Sequence, residues 1–294
     1  MKIVVTGAHG MLGRDLVVAL EAVHHEVVGF DQEHFDITDY PAVLEAFERE
    51  LPALVINCAA WTNVDGAEDH EEEANAVNAH GAGNVAAAAA AIGVRVIHIS
   101  TDYVFDGTKR EPYVESDEPN PINAYARTKY NGEIEVAEAN PRHLIVRTAW
   151  LYGPHGKNFV ETMLTIAESR REVLVVNDQF GCPTYTADLA GAIVDHLVDF
   201  ERLGIMHITG GEYCSWYDFA REIFRQSQVD IQVLSSSTEM FGSPTPRPVF
   251  TALTSEREET PQLERWDHGL HRYLLRRAEA AGEASPSESQ QEIN

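Results

Sequence analysis

Lysine is scarce in this chain, and positive charge as a whole is in short supply. The sequence has 47 Asp and Glu residues against 22 Lys and Arg residues, which gives a formal net charge of −25. Its lysines are Lys2, Lys109, Lys129 and Lys157. A surface with this little positive charge repels nucleic acid and anionic membranes, so we expect neither as a partner.

Cysteine is rare and long apolar runs are absent. The three cysteines, Cys58, Cys182 and Cys214, are an odd number without metal-ligand spacing, which predicts reduced thiols and no metal site. No apolar run approaches the length of a membrane span. Met1 and Lys2 lead directly into an apolar, strand-like segment, so we expect no secretory signal peptide. These features together predict a cytoplasmic protein.

The surplus of carboxylates has two interpretations. Proteins of salt-accumulating cytoplasms keep a hydrated, carboxylate-rich surface and use little Lys, and this composition is similar to theirs. An ordinary acidic mesophilic protein is the alternative, because acidity by itself mainly reports solubility. We favour the halophilic interpretation. The scarcity of Lys also gives weight to Lys129, since an ammonium group is an unusual choice in this chain.

The first half of the sequence alternates short apolar runs with helical stretches. Strands are predicted over 2–6, 26–30, 53–57, 94–100 and 143–147, and helices over 14–21, 40–50, 72–92 and 124–138. Such an alternation is typical of parallel strands whose crossover helices cover both faces of a sheet. The pattern therefore predicts an α/β fold with a Rossmann-like, doubly wound parallel sheet.

The second half is less regular. It predicts helices over 159–169, 186–199 and 216–226, with short strands over 173–176 and 205–208. We therefore expect a dinucleotide-binding domain over 1–150, with some later segments returning to it. A smaller C-terminal α/β substrate-binding region should cover 151–278. Residues 279–294 lack apolar periodicity and predict a disordered acidic tail.

A glycine-rich loop follows the first predicted strand. Gly7, Gly10 and Gly13 allow a tight turn and a close approach of the backbone to a pyrophosphate at the helix N-terminus. A tight turn without a ligand is the alternative. Asp31 ends the second strand, where a carboxylate can bind the adenosine ribose and repel a 2′-phosphate, which favours NAD(H). A residue that only caps a turn is the alternative for Asp31.

Tyr125 and Lys129 form the candidate catalytic pair. They lie one helical turn apart and therefore share a face of the predicted helix. We expect the ammonium of Lys129 to lower the Tyr125 pKa toward working pH. Thr101 follows the fourth strand and can offer a hydroxyl to a substrate carbonyl. A surface Tyr beside a surface Lys is the alternative interpretation.

Longer motifs connect these residues to a known family. They run in order over residues 2–275 and comprise 7–13, 36–39, 57–65, 100–107, 125–129, 147–153, 177–181 and 215–220. The segment 100–107, Ser-Thr-Asp-Tyr-Val-Phe-Asp-Gly, is the most specific of them. On these motifs the chain resembles the extended short-chain dehydrogenase/reductases, and among them the dTDP-4-dehydrorhamnose reductase family.

The resemblance implies a role for each matching residue. Tyr125 would donate the proton, Lys129 would assist it, and Thr101 would polarise the ketone. The residues that would line the sugar pocket are Thr101, Asp102, Tyr125 and Trp150. Those that would contact NADH or NADPH are Gly7, Gly10, Met11, Leu12, Gly13, Asp31, Asp36, Ile37, Ala59, Ala60, Trp61, Thr62, Tyr125 and Lys129.

The reaction implied is the reduction of a nucleotide-linked 4-ketosugar, dTDP-4-dehydro-β-L-rhamnose, to dTDP-β-L-rhamnose. One alternative is another nucleotide-sugar reductase, epimerase or dehydratase of the same superfamily. A dehydratase would carry Asp-Glu after Thr101, whereas here Asp102 is followed by Tyr103. A second alternative is a non-catalytic NAD(P)-binding regulatory subunit, although retention of Tyr125, Lys129 and Thr101 favours catalysis. The sequence leaves a homodimer open.

Overall fold

A computed structural model of the protein describes residues 1–282. The strands are β1 (Lys2–Thr6), β2 (Glu26–Phe30), β3 (Leu54–Asn57), β4 (Arg95–Thr101), β5 (His143–Thr148), β6 (Leu151–Tyr152), β7 (Glu172–Val176), β8 (Phe180–Gly181), β9 (Thr184–Tyr185), β10 (Gly204–His207), β11 (Cys214–Ser215) and β12 (Gln232–Ser236). The α-helices are α1 (Met11–Ala22), α2 (Tyr40–Glu50), α3 (Gly66–Asp69), α4 (Glu71–Asn75), α5 (Ala82–Ala91), α6 (Ala124–Ala139), α7 (Phe159–Ser169), α8 (Thr186–His196), α9 (Trp216–Gln226), α10 (Thr238–Phe241) and α11 (Trp266–Ala281).

A six-stranded parallel sheet forms the centre of the molecule. Its strand order is β10-β5-β4-β3-β1-β2, so the order reverses beside β1. Ligands of doubly wound sheets bind in the crevice outside the carboxyl ends of the strands at such a reversal. Register pairs Thr6 with Asn57 and Thr101 with Thr148, which brings four strand ends to one edge. The predicted α/β, Rossmann-like fold is confirmed.

Successive side chains of each strand lie on opposite faces of the sheet and build two cores, one on each face. In β1, Ile3 packs with α1 and α8, whereas Val4 packs with α2 and α5. Leu16 of α1 and Phe47 of α2 are fully buried in these two cores. Truncating a side chain of this size in a packed core typically costs about 2–5 kcal/mol. The two cores therefore fix the sheet edge on which the site is built.

The predicted helix over 72–92 is broken into three segments. A π-helical segment, Ala76–Gly81, lies between α4 and α5. Helix α6 packs closely against this segment, since a Cβ added at Gly132 would lie 2.1 Å from the Asn78 carbonyl oxygen. The small residues on both sides let α6 approach the sheet. Helix α6 carries Tyr125 and Lys129, so this packing sets their depth.

The second half of the chain contributes both to the central sheet and to a separate, smaller lobe. Strand β10 pairs with β5 and so joins the central sheet, while α8 packs beside α1 on one face of that sheet. The remaining elements form a smaller lobe around the β7–β12 pair, with Tyr152, Phe219 and Tyr273 in its core.

One domain boundary in the sequence prediction was wrong. Helix α11, which the sequence did not predict, continues to Ala281, so the predicted disordered tail does not begin at 279. The helix persists because Leu270, Tyr273 and Leu274 bury an apolar face in the smaller lobe. Residues 283–294 of the predicted tail lie outside the described residues.

Candidate active site

A cleft of about 940 Å³ opens along the carboxyl edge of the central sheet. The structure brings all of the predicted site residues to its walls. These are Gly7, Gly10, Met11, Leu12, Gly13, Asp31, Asp36, Ile37, Ala59, Ala60, Trp61, Thr62, Thr101, Asp102, Tyr125, Lys129 and Trp150. Residues from opposite ends of the sequence therefore share one site.

The glycine loop is packed too closely for side chains. Gly7 has φ +69°, and a Cβ added there would lie 2.6 Å from the Ala59 amide nitrogen. At Gly13 an added Cβ would lie 2.1 Å from the Gly7 carbonyl oxygen. Helix α1 begins at Met11, inside the glycine motif, with Gly10 as its N-cap and no acidic residue in its first turn. Its N-terminus is therefore suited to a pyrophosphate, and the loop fits the predicted dinucleotide.

Asp31 is tied to this loop through His9. Its Oδ2 accepts a hydrogen bond from the His9 amide at 2.9 Å and lies 3.2 Å from His9 Nδ1. Asp36 and Ile37 follow on the same side of the cleft. This end of the cleft therefore presents a carboxylate and an apolar wall, as binding of an adenosine would require.

A chain of amides connects the loop after β3 to helix α6. Asn57 accepts hydrogen bonds from Thr6 Oγ1 at 2.7 Å and from the Ala59 amide at 3.1 Å. Farther along, Asn78 accepts from the Trp61 amide at 2.8 Å and donates to Thr128 Oγ1 at 3.0 Å. The cofactor-facing loop and the helix with Tyr125 are thus held in one network.

Helix α6 presents Tyr125 and Lys129 to the cleft from its first two turns. Asn123 caps the helix by accepting from the Ala126 amide at 2.8 Å. Lys129 is 2% exposed, and its Nζ donates to the Ile99 carbonyl oxygen at 2.8 Å. Burial lowers the pKa of Lys129 to about 8, although the carboxylate of Glu133 acts in the opposite direction. The sequence prediction of a shared helical face agrees with this arrangement.

The expected effect on Tyr125 was wrong in sign. Burial raises the pKa of Tyr125 above its ordinary value, and a hydrogen bond with Thr101 only partly offsets this. The ammonium of Lys129 is committed to the Ile99 carbonyl oxygen rather than to the phenol. A phenol of raised pKa keeps its proton, which suits a proton donor better than a base.

Asp102 is a buried carboxyl group beside Thr101. It is 2% exposed and accepts hydrogen bonds from Thr101 Oγ1 at 3.1 Å and from Thr251 Oγ1 at short range. Burial raises the pKa of Asp102 to about 7, while the hydroxyl of Thr251 acts in the opposite direction. The group therefore changes charge near neutral pH.

Trp150 is held at the cleft wall by its backbone and by a stacked partner. Its φ is +48°, a left-handed conformation that costs a non-glycine residue about 1–3 kcal/mol. The indole stacks on Trp216 with ring centroids 3.5 Å apart and planes within 5°. Gly181 leaves room for it, since an added Cβ there would lie 2.5 Å from the ring. The smaller lobe thus fixes a flat apolar surface opposite α6.

Sequence reasoning missed several residues of the cleft. Thr148 ends β5 as Thr101 ends β4, so the rule that ligands collect at strand ends could have found it. His155 and Lys157 also line the cleft, and the scarcity of Lys was a signal for the second of them. The buried residues Glu133 and Arg147 were missed as well. A charged residue inside an apolar strand was the signal for Arg147.

Two further findings concern residues 1–282. No cluster of potential metal ligands occurs among them. No helix within this range is long and apolar enough to cross a membrane.

The doubly wound sheet, the glycine loop and the Tyr–Lys pair define a Rossmann-type reductase of the short-chain dehydrogenase/reductase class. More narrowly, the family model described as the RmlD substrate binding domain matches residues 1–278, and the chain belongs to this family. The resemblance inferred from the motifs is confirmed.

Relatives of known name agree with this assignment. The chain is 48% identical over 222 residues to a dTDP-4-keto-6-deoxy-D-glucose reductase of Streptomyces niveus, covering 75% of this chain and 77% of the relative. A dTDP-4-dehydrorhamnose reductase structure from Clostridium acetobutylicum superposes with a TM-score of 0.90 at 44% identity, covering 93% of this chain and 98% of that one. The Bacillus anthracis dTDP-4-dehydrorhamnose reductase in complex with NADP has a TM-score of 0.91 at 38% identity, covering 94% and 99%.

Proposed function

We propose that this protein is an NAD(P)H-dependent reductase that converts dTDP-4-dehydro-β-L-rhamnose to dTDP-β-L-rhamnose. The observation that carries the proposal is the meeting of Tyr125, Lys129 and Thr101 in one cleft with the glycine loop. Relatives named for this reaction match over most of both chains. A protein that only binds the dinucleotide would not need the three polar side chains at the far end of the cleft.

The residues of the catalytic end have separate roles in this proposal. The reduced nicotinamide of the cofactor, when bound, would supply the hydride to the sugar ketone. Thr101 donates a hydrogen bond to the ketone oxygen, and Tyr125 passes its proton to the same oxygen as the alkoxide forms, because an alkoxide is more basic than a phenolate. Lys129 stabilises the phenolate that Tyr125 leaves behind. Trp150 and Asp102 hold the sugar against this group.

The cofactor end accepts NADH or NADPH. Gly7, Gly10 and Gly13 would hold the pyrophosphate, and Asp31 would accept hydrogen bonds from the adenosine ribose. The side chain that pairs with Asp31 is His9, whose Nδ1 also lies 3.5 Å from Glu33 Oε1, while Arg14 donates to the His9 carbonyl oxygen rather than to Asp31. NADH should therefore be at least competitive with NADPH.

The sugar is the feature on which relatives differ. The Streptomyces niveus relative is named for dTDP-4-keto-6-deoxy-D-glucose, and those from Clostridium and Bacillus for dTDP-4-dehydrorhamnose. All of these substrates present a ketone at C4 of a nucleotide-linked 6-deoxy sugar. We place the rhamnose precursor first because the structures named for it match nearly the whole chain.

We further infer a cytoplasmic, salt-adapted enzyme without nucleic-acid or membrane partners. The support is the net charge of −25 together with the scarcity of Lys.

Oxidation of NADH and NADPH by the purified protein, followed at several salt concentrations, tests the function. The substrates are dTDP-4-dehydro-β-L-rhamnose, dTDP-4-keto-6-deoxy-D-glucose and other nucleotide 4-ketosugars. We expect the highest kcat/KM with the first. A different best substrate would reassign the sugar, and absence of turnover with all of them, with dinucleotide binding intact, would favour the regulatory subunit.

A further inference from the structure

A buried ion pair lies directly behind the catalytic lysine. Glu133 follows Lys129 by one helical turn on α6 and is 3% exposed. Its carboxylate accepts from Arg147 Nε at 2.9 Å and Nη2 at 2.7 Å, and from Ser100 Oγ at 2.5 Å. Ser100 directly follows Ile99, whose carbonyl oxygen accepts from Lys129. One carboxylate therefore ties α6 to both β4 and β5 behind the site.

Arg147 is held from its other sides as well. It is 1% exposed, and its guanidinium lies over the Phe105 ring at 5.1 Å. Its Nη1 lies 3.4 Å from His207 Nε2, while His207 Nδ1 faces the Thr254 carbonyl oxygen at 3.0 Å. A carbonyl oxygen can only accept, so Nδ1 donates and Nε2 accepts from Arg147. The arginine is thus fixed on Glu133 and cannot turn toward the cleft.

Arg147 also determines where the carboxylate points. Residues four apart on a helix can form a direct ion pair, so Glu133 without Arg147 could reach Lys129 and draw its ammonium away from the Ile99 carbonyl oxygen. With Arg147 present, both oxygens of the carboxylate are occupied. The negative charge of Glu133 therefore stays one helical turn from Lys129 and acts on the ammonium without direct contact.

We propose that Glu133 and Arg147 are positioning residues for Lys129: Glu133 stabilises the ammonium from a fixed distance, and Arg147 prevents a direct Glu133–Lys129 pair. This assignment rests on the proposed function for its catalytic meaning, but the charge coupling itself is a property of the free protein. It predicts that the two members of one ion pair act on Lys129 in opposite directions.

The other groups that face Lys129 are uncharged. Cys58, at the end of β3, is a thiol whose pKa burial raises to about 12. His98 of β4 is neutral, because burial and the charge of Lys129 hold its pKa well below the ordinary value. Tyr125 on the same helix keeps its proton, as described above. Glu133 is therefore the carboxylate that acts on the ammonium.

The scarcity of Lys makes it feasible to measure the protonation of Lys129 directly by NMR. Protein labelled with ¹³Cε-lysine gives signals from four residues, and loss of one signal in Lys129→Met assigns the catalytic one. Its shift against pH then reports the protonation of Lys129 without substrate or cofactor. We expect Glu133→Gln to lower the midpoint by about one pH unit and Arg147→Gln to raise it, since each removes one charge near the ammonium.

The alkaline limb of kcat/KM should follow the same order as the NMR midpoints. An enzyme that requires the ammonium loses activity as pH rises through the Lys129 pKa. Glu201→Gln is the matched control, because Glu201 pairs with Arg142 on the surface and the variant changes the net charge equally. Shifts of the same sign in both pair variants, or no shift in either, would overturn the proposal.

A variant with a broken buried pair can fail to fold, because it leaves an uncompensated buried charge. The double variant Glu133→Gln with Arg147→Gln removes both charges and leaves two amides that can bond each other. Its midpoint should lie below the parental one, because Glu133 lies one helical turn from Lys129 and its charge acts on the ammonium. An unchanged midpoint would contradict the proposal. Absence of turnover in a protein with the expected NMR shifts would overturn the proposed function alone.

Discussion

The two ends of the cleft bind charge by different means. At the proposed adenosine end the groups that would bind the cofactor are backbone atoms of the glycine loop, and the charged side chains nearby reach solvent, with His9 57% and Glu33 69% exposed. At the catalytic end Lys129 and Asp102 are each 2% exposed, and they are held by hydrogen bonds with β4 and with Thr251. The charged side chains at one end are accessible to water and salt, whereas Lys129 and Asp102 at the other end are buried.

This difference sets the expected size of any perturbation. Charges in water interact weakly and are screened by salt, whereas charges inside a protein interact strongly and shift the pKa of their neighbours. Substitutions at the catalytic end should therefore change rate and stability by large factors. Substitutions at the adenosine end should change the preference for NADH over NADPH by small factors.

The largest effect is expected for Tyr125→Phe at the catalytic end. The variant keeps the ring and loses only the proton, so kcat should fall by about 100- to 10,000-fold. The Kd for NADH should stay near the parental value. Steady-state kinetics and cofactor titration measure both. Tyr130→Phe, on the same helix but outside the cleft, is the control, and near-parental kcat in Tyr125→Phe would show that Tyr125 is not the acid.

Asp102→Asn tests whether burial of the Asp102 carboxyl group lowers the stability of the folded protein at neutral pH. The carboxyl pKa is about 7 in the folded protein and about 3.9 in an unfolded chain. Between these values the folded state holds a proton that the unfolded chain has lost, so the free energy of unfolding falls as pH rises through this window and levels off above it. In Asp102→Asn the side chain does not ionise, so its free energy of unfolding should not fall over this pH window.

The expected outcome is that Asp102→Asn matches the parent near pH 4 and is more stable above pH 7, by on the order of a few kcal/mol. Its turnover should fall, since the side chain borders Thr101 and the sugar pocket. Denaturant unfolding at several pH values measures the difference. Asp230→Asn, at an exposed position, controls for net charge, and an equal gain at all pH values would exclude the ionisation as its cause.

At the adenosine end, Asp31→Asn should have a smaller effect. Loss of the carboxylate removes repulsion of a 2′-phosphate, so the ratio of kcat/KM for NADPH to that for NADH should rise by about two- to fivefold, the range of a partly exposed charge pair. In the parent the ratio should not exceed one. Glu33→Gln is the control, as it also borders His9. A strong parental preference for NADPH would refute the role assigned to Asp31.

The smallest specific effect is that of salt on the surface as a whole. With a net charge of −25, carboxylates repel one another at about 0.01 M ionic strength, where the Debye length is about 30 Å. Screening should raise the melting temperature over the first few tenths molar KCl, and a further gain at molar KCl would mark salt adaptation. The pH limb assigned to buried Lys129 should hardly move. A flat melting temperature, or activity greatest without salt, would leave the acidity as a solubility feature.

The sequence predicted most of the architecture of the first half but less of the second. Strands β1 to β5 follow from short apolar runs, and their parallel direction follows from the alternation with helices. Helix α11 was missed because its apolar residues contact the smaller lobe rather than the sheet. The break in the 72–92 helix was missed because π-helical geometry depends on the close approach of Gly132 to Asn78.

What the sequence by itself determined is local: the glycine loop between a strand and a helix, and Tyr125 one turn before Lys129. These relations depend on residue spacing, which the chain fixes before it folds. The tertiary structure decided the chemistry of those groups. Thr251 reaches Asp102 across 149 positions, and Arg147 of β5 pairs with Glu133 of α6. A pKa depends on burial and on neighbouring charges, which the tertiary structure supplies. Residue spacing could therefore place Tyr125 and Lys129 on one helical face, but it gave the wrong direction for the Tyr125 pKa shift.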